Sequence, residues 1–219
     1  MLPVHLRVLY LHGFASSPAS RKARFFAERL AALGIQVEIP DLAEGHFEDL
    51  TISRQLKLIE KVAGNEPIML IGSSLGGYLA ALYAALHPEV DRLLLLAPAF
   101  HFCQLWANEL GPQRLAVWRE NGTLPVFHYA EERYVPLGYQ LMEDASCHPG
   151  FPDVRQPTLI FHGTQDPVVP VRYSAAFAET HANVRLVQLP SGHELTDVLD
   201  RIWHDAHEFL LPQHTEIQC

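Results

Sequence analysis

Residues 67–87 read PIMLIGSSLGGYLAALYAALH, and their interpretation decides the fold. Pro67–Ile71 is a short, branched, apolar run of the kind that forms a buried strand. It runs directly into Gly72-Ser73-Ser74-Leu75-Gly76-Gly77 and then into a stretch rich in alanine and glycine to about His87. Small side chains allow a helix to lie close against a sheet. A G-x-S-x-G pattern between strand and helix places its serine, here Ser74, on a sharp turn with the hydroxyl held above the sheet edge. The alternative is a tight glycine turn carrying an incidental serine. Ser73 is the nearest rival but lies off the centre of the motif.

Working outward, the same grammar repeats. His5–Leu11, Ile35–Ile39, Leu93–Leu96, Thr158–Phe161 and Val184–Leu189 are short apolar runs closed by Gly or Pro. Helices are expected after Ser17-Pro18-Ala19-Ser20, over about Thr51–Ala63, and over about Glu194–Leu210. Near-continuous apolar strands separated by helices define an α/β fold. Its parallel sheet of about six strands has helices on both faces. One stretch breaks the alternation, from 101 to 156. It holds helix-like pieces near Phe102–Leu110 and Gln113–Glu120 and reads as a helical cap insertion, too long for an ordinary connection. As a lid, it would shape the pocket. Removing residues 105–140 should then change chain-length preference more than the reactivity of Ser74. The whole of 1–219 reads as one domain, with a polar, frayed tail from Pro212.

Composition excludes several classes. In 219 residues, 48% are hydrophobic and 19% charged, which rules out disordered and fibrous chains. A net charge of −9 argues against a nucleic-acid partner. Three cysteines, Cys103, Cys147 and Cys219, are too few and scattered for a disulfide scaffold or a thiolate metal site, so a reducing cytoplasm is the expected compartment. Cys103 and Cys147 are expected to be buried bystanders. No apolar run approaches the roughly 20 residues of a spanning helix, and His5 and Arg7 interrupt anything resembling a signal peptide, so no membrane association is expected.

A serine hydroxyl needs a base to become nucleophilic. In this kind of sheet the partners follow in the order serine, acid, histidine. Asp166 follows the fifth strand in FHGTQDPVVP, and His193 follows the sixth in LPSGHEL. Both fall at the C-terminal edge of the strands, as Ser74 does, where parallel sheets bind ligands. Asp166 could instead cap a turn before Pro167; Asp153 and Asp197 are the rival acids. His193 alone could be a solvated loop residue. The oxyanion donors would be the backbone N–H groups of Leu75 and of Phe14, in the loop His12-Gly13-Phe14. The ring of His12 is expected to order that loop through hydrogen bonds rather than to act in catalysis.

Taken together, LHGFASSP, IGSSLGGYLAA, FHGTQDPVVP and LPSGHEL resemble the α/β-hydrolase fold superfamily over nearly all of the chain, most closely its small bacterial serine esterases. The resemblance implies an eight-stranded core, a Ser74–His193–Asp166 triad and an oxyanion hole at Phe14 and Leu75. The chain departs by starting at the strand before HGF, which leaves a minimal version of about six strands. It also lacks the HGGG run of one lipase group. The reaction implied is hydrolysis of small or medium carboxylic esters or thioesters; the same triad also serves C–C, lactone and peptide bonds. A scaffold that only binds a ligand or partner is the competing class. Phe102, Trp106, Tyr129 and Tyr134 are candidates to line the substrate pocket. No cofactor or metal is implied: His204 and His207 sit three apart on the last helix but lack a supporting carboxylate pattern. Arg21, Lys22 and Arg24 are expected to form the solvated face of the first helix.

Overall fold

The computed structural model describes residues 6–211. His5, the tail from Pro212 and Cys219 lie outside the described residues. Six parallel strands form one sheet: β1 (Arg7–Leu11), β2 (Val37–Glu38), β3 (Ile68–Ser73), β4 (Val90–Leu96), then Thr158–Gly163 and Val184–Leu189. Between β4 and the fifth sheet strand, a two-stranded antiparallel hairpin intervenes, β5 (Thr123–His128) and β6 (Arg133–Gly138). The last two sheet strands are therefore β7 and β8, and the order across the sheet is β2-β1-β3-β4-β7-β8. β3 is buried along its whole length, as expected for a strand with helices over both faces.

On one face lie α1 (Arg21–Ala31) and α7 (Leu199–Leu210), whose Phe26, Leu30, Ile202 and Ala206 close over Val8, Tyr10, Leu94 and Leu159. The other face is covered by α2 (Ile52–Ala63), α3 (Leu75–Leu86) and α6 (Arg172–Thr180). α1 starts where Ser20 accepts a hydrogen bond from the Ala23 N–H, and α2 where Thr51 accepts one from Arg54. α7 begins later than its apolar period suggests. Leu195 adopts φ 55° and packs into the core, and Ser191 donates to Asp197 at 2.5 Å, so residues 191–198 form a compact loop instead of a first helical turn.

The insertion carries α4 (Phe102–Asn121), the β5–β6 hairpin and α5 (Gln140–Ala145). α4 breaks at Gly111, whose φ of 72° is followed by Pro112, matching the two helical pieces read in the sequence. The hairpin is the addition to a segment expected to be helical. Pro125 and Pro136 disguise its strands, and they are tolerated because a two-stranded ribbon has only edges. Nor does the insertion float above the sheet. Trp118, Val135 and Leu137 are buried in the same core as Leu9, Leu70 and Leu95, and the Trp118 indole N–H donates to Leu137 O at 2.9 Å.

Two glycines allow α3 to start against the sheet. A Cβ on Gly72 would lie 2.5 Å from Gly76 O, and one on Gly76 would run into the carbonyl oxygens of Leu11 and His12. The neighbours at Gly76 are main chain and cannot swing away. Gly76→Ala is therefore expected to lose at least about 3 kcal/mol. For a domain of this size that is roughly 6–12 °C in Tm, measured by thermal unfolding; an unchanged Tm would contradict the packing.

Candidate active site

Ser74 bridges β3 and α3 with φ 53° and ψ −118°, a strained conformation for a residue with a Cβ. The turn holds because the Ser74 N–H donates to Leu96 O at 2.9 Å and the Ser74 carbonyl accepts from Gly77, Tyr78 and Ala99. Its Oγ lies 3.0 Å from His193 Nε2, and His193 Nδ1 lies 2.7 Å from Asp166 Oδ2. With the Nδ1–H donating to the carboxylate, the Nε2 lone pair faces the serine hydroxyl. Three residues from three loops thus form one hydrogen-bonded chain at the C-terminal edge of β3, β7 and β8.

Asp166 combines the two roles that the sequence left as alternatives. Oδ1 accepts from the N–H groups of Val168 and Val169, both at 2.8 Å, which caps the turn after Pro167. Oδ2 receives His193. It also lies 3.2 Å from Nε2 of His162, a fully buried ring whose Nε2–H is directed at Val169 O (2.8 Å) and whose Nδ1 accepts from Ser174 Oγ (2.8 Å). Burial raises the Asp166 carboxyl. The nearby His162 ring and the hydrogen bonds from His193 and the Val169 N–H outweigh it and hold the group well below the usual carboxylate range. His162 was not singled out in the sequence. The available signal was a histidine inside the apolar run TLIFHG, four residues before the acid.

The loops bearing acid and base are stitched together. Thr164 N–H donates to Leu189 O and Gln165 N–H to Ser191 O, and Gly163 packs against the Ser191 carbonyl where a Cβ would not fit. The rival residues go elsewhere: Ser73 is buried in β3, Asp153 pairs with Arg155 on the surface, and Asp197 receives Ser191.

The loop after β1 closes the other side. A Cβ built on Gly13 would lie 3.4 Å from Ser74 Cβ, so the chain passes directly beside the serine. His12 is 4% exposed; its Nδ1–H donates to Gly13 O at 3.0 Å and its Nε2 accepts from the Leu42 N–H at 3.2 Å. Burial lowers its pKa and keeps the ring neutral, as that bonding pattern requires. The structural role expected for this ring is the one its geometry supports. Leu75 is the first residue of α3, so its N–H precedes the helical ladder. The Phe14 N–H has no backbone acceptor among the described residues. Both belong to segments that flank Ser74.

The four pocket candidates separate. Phe102 is buried and Trp106 half-buried, and both pack on Phe14 with ring centroids at 6.3 and 4.9 Å. Tyr129 and Tyr134 are 72% and 69% exposed on the outer face of the hairpin beside Phe127, so they enclose nothing. A shallow cleft of about 260 Å³ lies between α3, α4 and α5. Phe102, Tyr78 and His148 line it; Ser74 and His193 do not.

Two further expectations need correction. Lys22 is not on a solvated face: its side chain is 9% exposed, and Nζ sits 3.3 Å from Glu194 Oε2, beside the histidine, whereas Arg21 and Arg24 are exposed. The first turn of α1 faces the loop of residues 191–198, which an amphipathic reading of one helix does not reveal. Cys103 is half-buried and Cys147 exposed, because the insertion runs along the surface at α5. His204 and His207 are exposed on α7.

A six-stranded parallel sheet with a serine elbow, an acid and a histidine in that chain order defines the α/β-hydrolase fold. The sequence profile described as Uncharacterised protein family (UPF0227) matches residues 7–210, and the chain belongs to that family. Among curated proteins, palmitoyl-protein thioesterase ABHD10, mitochondrial, from Bos taurus is 26% identical over 187 residues, which is 78% of this chain. The chain spans 60% of that relative's length. Among solved structures, Est1E from Butyrivibrio proteoclasticus with ferulic acid bound is similar at a TM-score of 0.82 and 24% identity, covering 95% of this chain and 89% of that one. Mouse alpha/beta hydrolase domain-containing protein 10 has a TM-score of 0.76 and 22% identity, covering 93% and 90%.

Asp166→Asn should lower stability at neutral pH by on the order of 2 kcal/mol, because the charge-assisted bonds from His193 and two backbone N–H groups, and the close approach of the buried His162 ring, are weakened. The native carboxyl pKa is depressed, so its stabilisation is present above the unfolded value of about 3.9 and fades as pH falls through and below it. Urea midpoints of wild type and variant are therefore expected to converge below about pH 4. A difference that persists undiminished at low pH would refute the electrostatic origin.

Proposed function

We propose that the chain is a serine hydrolase that cleaves small or medium carboxylic esters or thioesters through an acyl-enzyme on Ser74. The observation that carries this reading is the continuous Ser74–His193–Asp166 hydrogen-bonded chain beside two unengaged backbone donors. His193 takes the Ser74 proton through Nε2 as Oγ attacks the carbonyl carbon. Asp166 holds the Nδ1–H tautomer and offsets the charge of the imidazolium. The tetrahedral oxyanion accepts hydrogen bonds from the N–H groups of Phe14 and Leu75. Collapse expels the alcohol or thiol, which leaves with the proton from His193. Water, deprotonated by the same imidazole, then attacks the acyl-enzyme and releases the acid.

The bovine relative's name, a palmitoyl-protein thioesterase, and the ferulic acid in the Est1E structure support oxygen esters and thioesters as the class to test. A small molecule as the reacting partner and the free thiols of Cys103 and Cys147 accord with a cytoplasmic setting. Among the described residues no helix is long and apolar enough to cross a membrane.

Short-chain p-nitrophenyl esters and acyl thioesters should both be turned over, and a fluorophosphonate probe should label Ser74. Ser74→Ala should lose labelling and several powers of ten in kcat. Turnover that survives in Ser74→Ala overturns the assignment. The reaction needs its one base unprotonated, and Asp166 stays ionised well below the usual carboxylate range. The logarithm of kcat/KM should therefore fall with a slope of one per pH unit on the acid limb; a slope of two would show a second titrating group.

A further inference from the structure

The loop that carries the Phe14 N–H is gripped by the insertion. The ring of Phe14 packs edge-on against Trp106 of α4, at 4.9 Å and 76°, and it also meets Phe47 at 5.4 Å and Phe102 at 6.3 Å. Trp106 in turn rests on buried Trp118, at 5.7 Å, whose indole is bonded to the hairpin. A second grip is made by main chain: the N–H of Tyr129, at the hairpin turn, donates to Ala15 O at 3.0 Å. Ala15 has φ 51°, a left-handed conformation that costs free energy and that neighbouring contacts must hold. Within the core domain the loop's own polar ties are those of His12, one residue upstream of Gly13.

We propose that Trp106 is a positioning residue of the reaction: with the hairpin turn, it fixes the Phe14 N–H at the place where negative charge develops on the substrate. The inference rests on the serine-hydrolase reading above. It assigns the insertion a different task from a lid. A lid residue touches substrate and changes which acyl chains are accepted. A residue acting through Phe14 changes only how well the oxyanion is stabilised, and that stabilisation is common to every ester. An oxyanion donor is worth about 10²–10³ in kcat, and a displacement of about 1 Å can cost about 10². Loosening the loop should therefore cost less than deleting a donor, and the loss should appear in kcat.

The test uses the full chain and p-nitrophenyl acetate, butyrate and octanoate. Trp106→Ala is expected to lower kcat by roughly ten- to a hundredfold, by the same factor for all three esters, with KM changed less than about threefold. Affinity for a short trifluoromethyl ketone, which forms a tetrahedral adduct on Ser74, should fall in parallel with kcat/KM. Trp106→Phe, which keeps an aromatic edge against Phe14, should recover most of the activity. Tyr129→Pro removes the hairpin N–H without disturbing a buried side chain, and should give a smaller loss of the same uniform kind. It carries the test if Trp106→Ala fails to fold. A loss that grows or shrinks with acyl length would make Trp106 a pocket wall and overturn the proposal. So would full activity in both Trp106→Ala and Tyr129→Pro. Either result, with wild-type turnover that Ser74→Ala abolishes, leaves the hydrolase reading intact. Wild type without turnover or fluorophosphonate labelling removes that reading and the inference with it.

Discussion

Everything at the catalytic edge depends on how closely the start of α3 approaches the end of β1. Gly76 rests on the carbonyls of Leu11 and His12, a distance no side chain permits. That contact turns the chain sharply enough to hold Ser74 at φ 53°, and it brings the open end of α3 beside the loop of residues 12–15. Ser74 and the proposed oxyanion donors are therefore set by one backbone-to-backbone fit. The bend is costly locally, and the hydrogen bonds of Ser74 to Leu96, Gly77, Tyr78 and Ala99 over-determine it.

On the opposite side of the serine the organisation is electrostatic. Asp166 accepts from two backbone N–H groups and faces two imidazoles, with its side chain removed from solvent. Both carboxylate oxygens accept hydrogen bonds, so the group remains charged despite its burial. His162 makes no contact with Ser74. Its place in the site is to face Oδ2 from below while Ser174 and Val169 hold its ring still.

Much of this was legible in the residues. The six strands, the turn at Ser74 and the order of acid and base follow from apolar runs and from the Gly and Pro that end them. These are local signals, strongest where a strand is buried on both faces. What escaped depends on tertiary neighbours. Lys22 sits on a helix whose other cations are exposed, and only the arrival of Glu194, 172 residues later in the chain, explains its burial. The hairpin was hidden by prolines that a central strand could not carry. His162 stood just past the end of the fifth strand read in the sequence and drew no role, because its partner lies across a turn. The aromatic residues of the insertion could be identified from composition, but their division into buried Phe102, half-buried Trp106 and exposed Tyr129 and Tyr134 is a matter of which faces of α4 and of the hairpin meet the core.

The stitching of the loops after β7 and β8 has a mechanical consequence. Acid and imidazole ride on two segments tied by Thr164, Gln165 and Gly163, and so move as one piece. The alcohol is anchored through β3, β1 and β4, and β4 is itself paired with β7. A change in the length of either loop would therefore displace acid and imidazole together, keeping the 2.7 Å contact from imidazole to carboxylate while altering the 3.0 Å contact from imidazole to hydroxyl.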